Sequence, residues 1–237
     1  MITVRRANER QHDRRAARET WLTFQRPASG DSARYGFRNL ENLRECRLSP
    51  GATLARQASR DTETITYVRE GALTCEDSSG CSRVLCAGEF RCASFGPGFR
   101  HGEANASRTA WAHAFQVSLD PPGGEHLLPQ EQKRFSAAER RGRFCVVASP
   151  DARKGSLRIA QDVLVHSALL DPGQHLVHEL PPGRSAWLHV VTGSVVLGGV
   201  VLTTGDCAGV VDHYAVSMTA QEGSEILLLD LGHSGRS

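Results

Sequence analysis

The sequence predicts an all-β protein built from two similar barrels, and three observations lead to this prediction. The chain has 237 residues, of which 40% are hydrophobic and 23% charged, so it can bury a core. From about position 40 onward, short β-prone runs follow one another at a spacing of roughly 8 to 12 residues, which is typical of sandwiches and barrels. A similar order of turns and strands then recurs after about 100 residues, which indicates an internal duplication.

The composition excludes several classes of protein. The formal net charge is only +2, from 28 basic and 26 acidic residues, which argues against a dedicated binder of nucleic acid or anionic membranes. All but two of the basic residues are arginines, spread along the chain, which fits either coding composition or carboxylate and phosphate contacts. The opening run MITVRRANERQ has no apolar core of a signal peptide, and no stretch approaches the roughly 18 apolar residues of a membrane span. We therefore expect a reduced, cytoplasmic protein.

The predicted strands fall into two groups separated by one polar segment. The first group includes the runs TITYV, GALTC, RVLC, FRCASF and HAFQVSL, and the second includes RFCVVAS, DVLVHSALL, AWLHVV, GSVVLGGVVL, GDCAGVV and EILLLDL. The segment up to Arg26 is interpreted as a loop or short helix, and the run QEQKRFSAAERR as a helix or linker. These patterns predict a first barrel over residues 1–125, a linker over residues 126–142 and a second barrel over residues 143–237.

Three features recur in the same order in both halves. Each half has a Pro-Gly turn, ending at Gly51 or Gly173, and then a strand that ends in Gly71 or Gly193. A second strand follows, and after it comes the run AGEF or TGDC. A glycine followed by an acidic residue gives the tight turn that a small barrel of the double-stranded helix kind needs. The prediction is therefore two stacked β-barrels in one chain.

The seven cysteines do not form a recognisable zinc framework. Four lie between positions 75 and 92, but their spacing has no C-x2-C pair. Small buried side chains are the favoured interpretation, and Cys75 and Cys92 either pack within the strands of the first barrel or line its cavity. Redox sensing remains an alternative, because Arg83 and Arg91 are near these thiols in sequence and a reactive thiol needs positive surroundings.

Several long runs resemble the pirin family, the two-barrel branch of the cupins. The run TETITYVREGALTCEDSSG, followed by CAGEF and FGPGFRHGEAN, resembles the N-terminal barrel of that family. The runs VRRANER, ASPDARKGSLRIAQD and SEILLLDL resemble the bacterial pirin-like proteins that include quercetin 2,3-dioxygenases. The resemblance extends from about residue 2 to residue 231 and implies a bicupin, with two stacked double-stranded β-helix (jelly-roll) barrels.

The resemblance also implies a metal site of three histidines and one glutamate in the first barrel. His101 and Glu103 match the H-x-E half of that site, and residues two apart on a strand point to the same face. The other half is an H-x-H pair, and its two positions hold Gln57 and Ser59 here. Glu63, which begins the run ETITYV, is a candidate only for a supporting role behind the ligands.

This departure predicts a degenerate metal site. An amide oxygen and a neutral hydroxyl are weaker ligands than imidazole for iron, nickel, copper or zinc. We therefore expect no cofactor, or at most a loosely held divalent transition metal (Fe, Ni, Cu or Zn) on Gln57, Ser59, His101 and Glu103. The alternative, in which His101 and Glu103 are only a hydrogen-bonded pair, remains open.

Two functions follow from these alternatives. The favoured one is a metal-free or metal-poor pirin-like bicupin that binds a small aromatic or polar ligand or regulates a protein partner, as a monomer without direct nucleic-acid or membrane contact. The other is a quercetin 2,3-dioxygenase-type oxidoreductase, in which a bound metal lowers the pKa of the flavonol hydroxyl and Glu103 is a catalytic base. For the second barrel the resemblance implies no metal, so its histidines are expected to be structural or exposed: His166, His175, His178, His189 and His213.

Overall fold

The protein is built almost entirely from β-strands, as the sequence predicts. The structure, a computed structural model, describes residues 1–24, 36–58, 62–77, 82–95, 100–120 and 128–232, and it describes the backbone alone at residues 55–58, 77, 95 and 100–101. The chain forms two compact units, and we call the one that contains residues 40–134 the first barrel and the one that contains residues 135–237 the second barrel. Within the described ranges, no helix is long and apolar enough to cross a membrane.

The first barrel consists of a seven-stranded and a four-stranded sheet. The larger sheet has the order β12-β9-β6-β11-β4-β3-β2, and all its neighbours are antiparallel. Its strands are β2 (Gln11–Arg15), β3 (Arg18–Leu22), β4 (Leu40–Leu48), β6 (Thr62–Glu70), β9 (Glu89–Phe95), β11 (Ala112–Leu119) and β12 (Glu131–Arg134). The smaller sheet has the order β5-β10-β7-β8, with β5 (Thr53–Ala58), β7 (Ala72–Asp77), β8 (Ser82–Cys86) and β10 (Arg100–Asn105).

The second barrel repeats this division into seven and four strands. Its larger sheet has the order β1-β20-β17-β22-β15-β13-β14, and its smaller sheet the order β16-β21-β18-β19. The strands of the larger sheet are β1 (Ile2–Arg5), β13 (Cys145–Ser149), β14 (Leu157–Arg158), β15 (Val163–Leu170), β17 (Ser185–Thr192), β20 (Cys207–Val210) and β22 (Ser224–Leu231). The smaller sheet contains β16 (His175–Glu179), β18 (Ser194–Leu197), β19 (Val200–Thr203) and β21 (Ala215–Ala220).

Two segments that the sequence predicts as a loop, short helix or linker contain β-strands in the structure. The segment up to Arg26 contains β1, a 3₁₀ turn at Ala7–Glu9, and the hairpin of β2 and β3, so the prediction of a loop or short helix was wrong. The run QEQKRFSAAERR contains β12 and the single α-helix of the described ranges, α1 (Ala137–Arg140), which begins with a capping box of Ser136 and Glu139. The predicted domain boundaries stay a prediction. The structure groups residues 1–10 with the second barrel, because β1 pairs with β20.

The repeated turns have the same geometry in both barrels. In each run with a glycine and an acid, the carboxylate accepts a hydrogen bond from a backbone N–H three residues earlier. Glu89 accepts from Cys86 at 2.7 Å, and Asp206 accepts from Thr203 at 2.9 Å. The acid therefore closes its own turn, which explains why an acidic residue follows the glycine in both halves.

The glycine that ends the first strand of each repeat is required by a close backbone approach. Gly71 and Gly193 have φ values of +72° and +91°, and a Cβ at either position would lie 2.5 Å from a backbone carbonyl oxygen. Gly51 and Gly173, in the Pro-Gly turns, also have positive φ, but a Cβ there would meet open space. The first pair of glycines is therefore fixed by both conformation and space, and the second pair by conformation alone.

The interior of the second barrel is mostly aliphatic but contains one polar group of residues. Leu188, Val190 and Leu228 belong to a fully buried aliphatic cluster. His166 points from β15 into the same interior, is 8% exposed, and lies with its ring 4.7 Å from that of His178. His189 is also fully buried. Among the described residues, no group of three His, Cys, Asp or Glu side chains is arranged to hold a metal ion. The histidines of the second barrel are therefore not part of such a group.

His166 is held neutral by its surroundings. Both of its ring nitrogens are buried and have no hydrogen-bond partner among the described residues. Burial, and secondarily the nearby His178, lowers the pKa of His166 from 6.5 to about 3. Asp230, which accepts a hydrogen bond from His178 at 2.9 Å, opposes this shift, while Lys154 and Arg153 add to it. The folded protein therefore excludes a proton that the unfolded chain accepts.

We predict that Gly193→Ala destabilises the protein more than Gly173→Ala. Both substitutions strain a residue with positive φ, by about 1–2 kcal/mol, but only the first forces a methyl group against the backbone. The additional cost should be about 1–3 kcal/mol, as for other insertions into packed space. Urea unfolding of the two variants measures the difference, and equal losses would contradict the steric explanation.

We also predict that His166 makes the protein sensitive to mild acid. Because the pKa of His166 is lower in the folded state, stability is full above about pH 6.5 and falls with the pH down to about pH 3. The loss between about pH 7.5 and pH 5 should be about 2 kcal/mol. His166→Leu should flatten this part of the curve of unfolding free energy against pH. The exposed His213→Gln is the matched control and should leave the slope unchanged.

Candidate functional site

The larger sheet of the first barrel carries a row of polar side chains on its inner face. Residues paired across antiparallel strands point to the same side of a sheet. Thr66 pairs with both Arg91 and Gln116, and Gln116 pairs with Arg44. Arg44 shares its side of β4 with Cys46 and Leu48, which belong to the apolar core of this barrel. The row therefore faces the barrel interior.

Glu103 faces this row from the smaller sheet. It lies on β10, where it pairs with Cys75 on β7 and Leu54 on β5, and it is 6% exposed. The Nη2 of Arg44 donates to its Oε2 at 2.6 Å, and the Nε2 of Gln116 lies 3.5 Å from its Oε1. A short ion pair therefore joins the two sheets across the interior.

Burial and the charges of this ion pair together shift the pKa values of the groups around it. Burial lowers the pKa of Arg44, but the charge of Glu103 offsets this and the pKa lies above its ordinary value. Burial raises the pKa of the Cys46 thiol to about 12 despite the nearby Arg44. Burial, and then the charge of Glu103, also raises the pKa of Cys75. These thiols are therefore protonated, which is the opposite of what a redox-sensing cysteine needs.

Cys92, the other predicted cavity cysteine, is also unsuited to redox sensing. Cys92 pairs with Ile65 on the opposite face of its sheet, and burial raises its pKa well above 9.0. Cys75, unlike Cys92, belongs to the apolar core inside the barrel. Its packing against apolar neighbours fits a structural role. Cys81 lies outside the described residues.

The predicted ligand positions are placed only in part. On the backbone, His101 pairs with Gln57 on β5 and with the residue at position 77 on β7. The pairing with β7 is regular from His101 to Glu103, but β5 carries one extra residue in the same interval. The side chains of Gln57 and His101 lie outside the described part of the structure, as does Ser59 altogether. Glu63 faces away from this interior and accepts a hydrogen bond from Ser94 at 3.3 Å, so it does not support the candidate ligands.

The residues of this chain differ from the implied metal site at two of its four positions. Two imidazole positions hold an amide and a hydroxyl, which are poorer ligands for transition metals. The retained carboxylate of Glu103 is already compensated by the guanidinium of Arg44 at 2.6 Å. A cation that bound Glu103 would have to displace this partner or share the carboxylate with it.

A cavity of about 520 Å³ adjoins the ion pair. Alternate residues of the β2–β3 hairpin form one wall, because Asp13 pairs with Thr20 and Arg15 pairs with Arg18 on the same face. Arg44, Leu54 and Glu103 form the rest of the wall that the structure describes. This volume is within the usual range for small-molecule sites of roughly 300–1,000 Å³.

Sequence reasoning missed both Arg44 and the hairpin wall. Arg44 is in phase with Cys46 and Leu48, so an arginine on the apolar side of a β-strand was the available signal. The hairpin has polar residues on both faces, which hides the two-residue period of a strand.

The chain matches known proteins over nearly its whole length. The family model described as Pirin matches residues 5–119, and the model described as Quercetinase C-terminal cupin domain matches residues 146–231. A protein of Escherichia coli K12 named quercetin 2,3-dioxygenase is 35% identical over 231 residues, which cover 98% of this chain and 99% of that protein. A pirin-like protein of Caulobacter vibrioides is 32% identical over 184 residues, 77% of this chain and 79% of that protein.

Solved structures agree with these matches. The crystal structure of YhhW from Escherichia coli superposes with a TM-score of 0.90 at 35% identity and covers 98% of both chains. The crystal structure of the bacterial pirin YhhW in complex with nickel(II) has a TM-score of 0.89 at 35% identity, over 98% of this chain and 100% of that one. Matching models on both halves, together with this identity along the chain, establish that the protein belongs to the pirin family of bicupins.

Proposed function

We propose that the first barrel binds a small organic ligand and does not hold a transition metal tightly. The observation that carries this proposal is the buried ion pair of Arg44 and Glu103. In a site built around a metal, the carboxylate compensates the charge of that metal. Here a fixed guanidinium already does so, which leaves the cavity beside it for an organic ligand.

The ligand positions support the same proposal. Loss of a residue that hydrogen-bonds to a metal ligand typically weakens metal binding by roughly 10- to 100-fold. If each lost imidazole costs at least as much, Gln57 and Ser59 together reduce the metal affinity by several kcal/mol. Arg44 adds to this cost, because a cation that binds Glu103 must break or share a charge-assisted hydrogen bond. The three residues therefore act in the same direction.

Quercetin 2,3-dioxygenation is the second candidate function. It is favoured by the names of the relatives, and the crystal structure of YhhW with nickel(II) contains a metal. Retained His101 and Glu103 are the residues of this chain that support it. The present side chains fit a metal poorly, so this candidate is the less favoured of the two.

The cellular setting belongs to the proposal as well. We expect a cytoplasmic monomer that acts through its small ligand, or through a regulatory protein partner that senses the ligand-bound state. The near-neutral formal charge of +2 gives no support to direct nucleic-acid binding.

Metal analysis tests the main proposal directly. Protein purified without chelators and without a metal-binding tag should contain far less than one equivalent of iron, nickel, copper or zinc per chain. It should also fail to consume quercetin after any of these metals is added. The Escherichia coli relative, purified in the same way, is the control for metal loss during handling. About one firmly held metal per chain, or turnover with any added metal, would contradict the proposal.

Restoring the metal site should require three substitutions. We predict that Gln57→His with Ser59→His gains little metal affinity, because Arg44 still occupies Glu103. Adding Arg44→Gln should increase nickel affinity by a further factor of about 10 to 100, the range for a lost or gained supporting partner. Calorimetric titration with nickel compares the double variant, the triple variant and Arg44→Gln alone. A double variant that binds nickel as tightly as the triple variant would show that Arg44 does not block the site.

A further inference from the structure

We propose that the cavity of the first barrel is a carboxylate site, in which Arg44 and the arginines of the β2–β3 hairpin bind a small organic acid. The proposal rests on the proposed function and identifies the ligand class of the same cavity. It follows from the charge of the described wall, from the free hydrogen-bond donors of Arg44, and from the apolar surface beside them.

The described cavity wall has one more positive than negative residue, before any charge on His12 is counted. Arg15, Arg18 and Arg44 line it together with Asp13 and Glu103. Within a cavity that excludes part of the surrounding water, an uncompensated guanidinium attracts an anion more strongly than on an open surface. The described part of the wall therefore favours a ligand with a single negative charge.

Arg44 retains donors for such an anion. A guanidinium has five N–H donors, and one of them, on Nη2, donates to Oε2 of Glu103 at 2.6 Å. The Nε of Arg44 is fully buried, so the donors that can meet a ligand are those of the two terminal nitrogens; the side chain lines the cavity with 18% of its surface exposed. The planar fork of an arginine matches the two oxygens of a carboxylate, and here one carboxylate is already bound to it.

The hairpin supplies a second cationic group at the same wall. Asp13 forms ion pairs with Arg15 at 3.1 Å and with Arg18 at 3.5 Å, so two guanidinium groups share one carboxylate. Arg18 is the more enclosed of the two, with 26% of its side chain exposed against 67% for Arg15. We assign Arg18 as the residue that meets the ligand carboxylate from the side of the hairpin.

The rest of the wall fixes the body of the ligand. Leu22 and Leu54 give the cavity an apolar surface, and Thr20 adds one hydroxyl to the same wall. An acid with an aromatic or aliphatic body matches this wall better than an inorganic anion does. A carboxylate, with one charge, also matches the single excess positive charge better than phosphate, which carries nearly two charges at neutral pH.

Benzoate and its neutral analogue benzamide test the charge requirement. After dialysis against a chelator, the full chain should bind benzoate at least about 10-fold more tightly than benzamide, the usual difference for hydrogen bonds to a charged group. Isothermal titration measures both affinities, with inorganic phosphate as the third probe. Equal affinities for benzoate and benzamide, or binding of phosphate but not benzoate, would overturn the proposal.

Substitutions test which arginines carry the preference. Arg44→Gln combined with Glu103→Gln keeps the charge of the interior balanced and should abolish the preference for benzoate. Arg18→Gln should weaken benzoate binding several-fold and leave benzamide unchanged. Arg141→Gln, which removes an exposed arginine of the second barrel paired with Asp171, is the matched control and should change nothing.

A folding failure of the double variant does not remove the test. Arg44→Lys keeps the positive charge beside Glu103 but loses the planar fork, so it should fold and bind benzoate at least several-fold more weakly than the original chain. Unchanged benzoate affinity in Arg44→Lys, or in a folded double variant, would overturn the assignment to Arg44.

The result separates this proposal from the one on which it rests. A chain that holds no metal and shows no preference for benzoate contradicts only the carboxylate site. A chain that holds one metal as purified contradicts the metal-poor function. The carboxylate site then still stands if the preference for benzoate, and its dependence on Arg44, persist after the metal has been chelated.

Discussion

The ion pair of Arg44 and Glu103 sets the character of the first barrel. Two charges removed from water are costly to bury, and they are tolerated only when each satisfies the other at short range. At 2.6 Å this condition is met, and the pair joins the two sheets at the point where the cavity begins. Burial keeps the neighbouring thiols Cys46 and Cys75 protonated, and the charge of Glu103 adds to this effect.

The duplicated halves show how one strand order accommodates different interiors. Both barrels pair a seven-stranded with a four-stranded sheet and use an acidic residue to close the same tight turn. The inner face of the second barrel is filled mainly by aliphatic side chains such as Leu188 and Leu228. The inner face of the larger sheet of the first barrel carries Arg44, Thr66 and Gln116 instead. The turns thus preserve the fold, while the inward residues of the strands decide whether a barrel is packed or open.

The sequence was sufficient to predict the all-β class, the duplication and the departure at Gln57 and Ser59, because glycine turns and a missing H-x-H pair are local features. The first strands of the chain and the role of Arg44 were not predictable in the same way. Most residues on both faces of the hairpin are polar, so the usual alternation is absent. The partner of Arg44 lies 59 positions along the chain and on the other sheet, and only the folded register brings them together.

The pairing of β1 with β20 has a consequence for how the chain is assembled. Ile2 lies opposite Val210, so the second barrel takes one of its edge strands from near the other end of the chain. A ribosome releases β1 long before β20 exists, and the residues of the first barrel emerge between them. Such distant pairings close late, because the loop entropy must be overcome before the contact forms. The first barrel is therefore free to fold during synthesis, whereas the second is completed only after nearly the whole chain has been made.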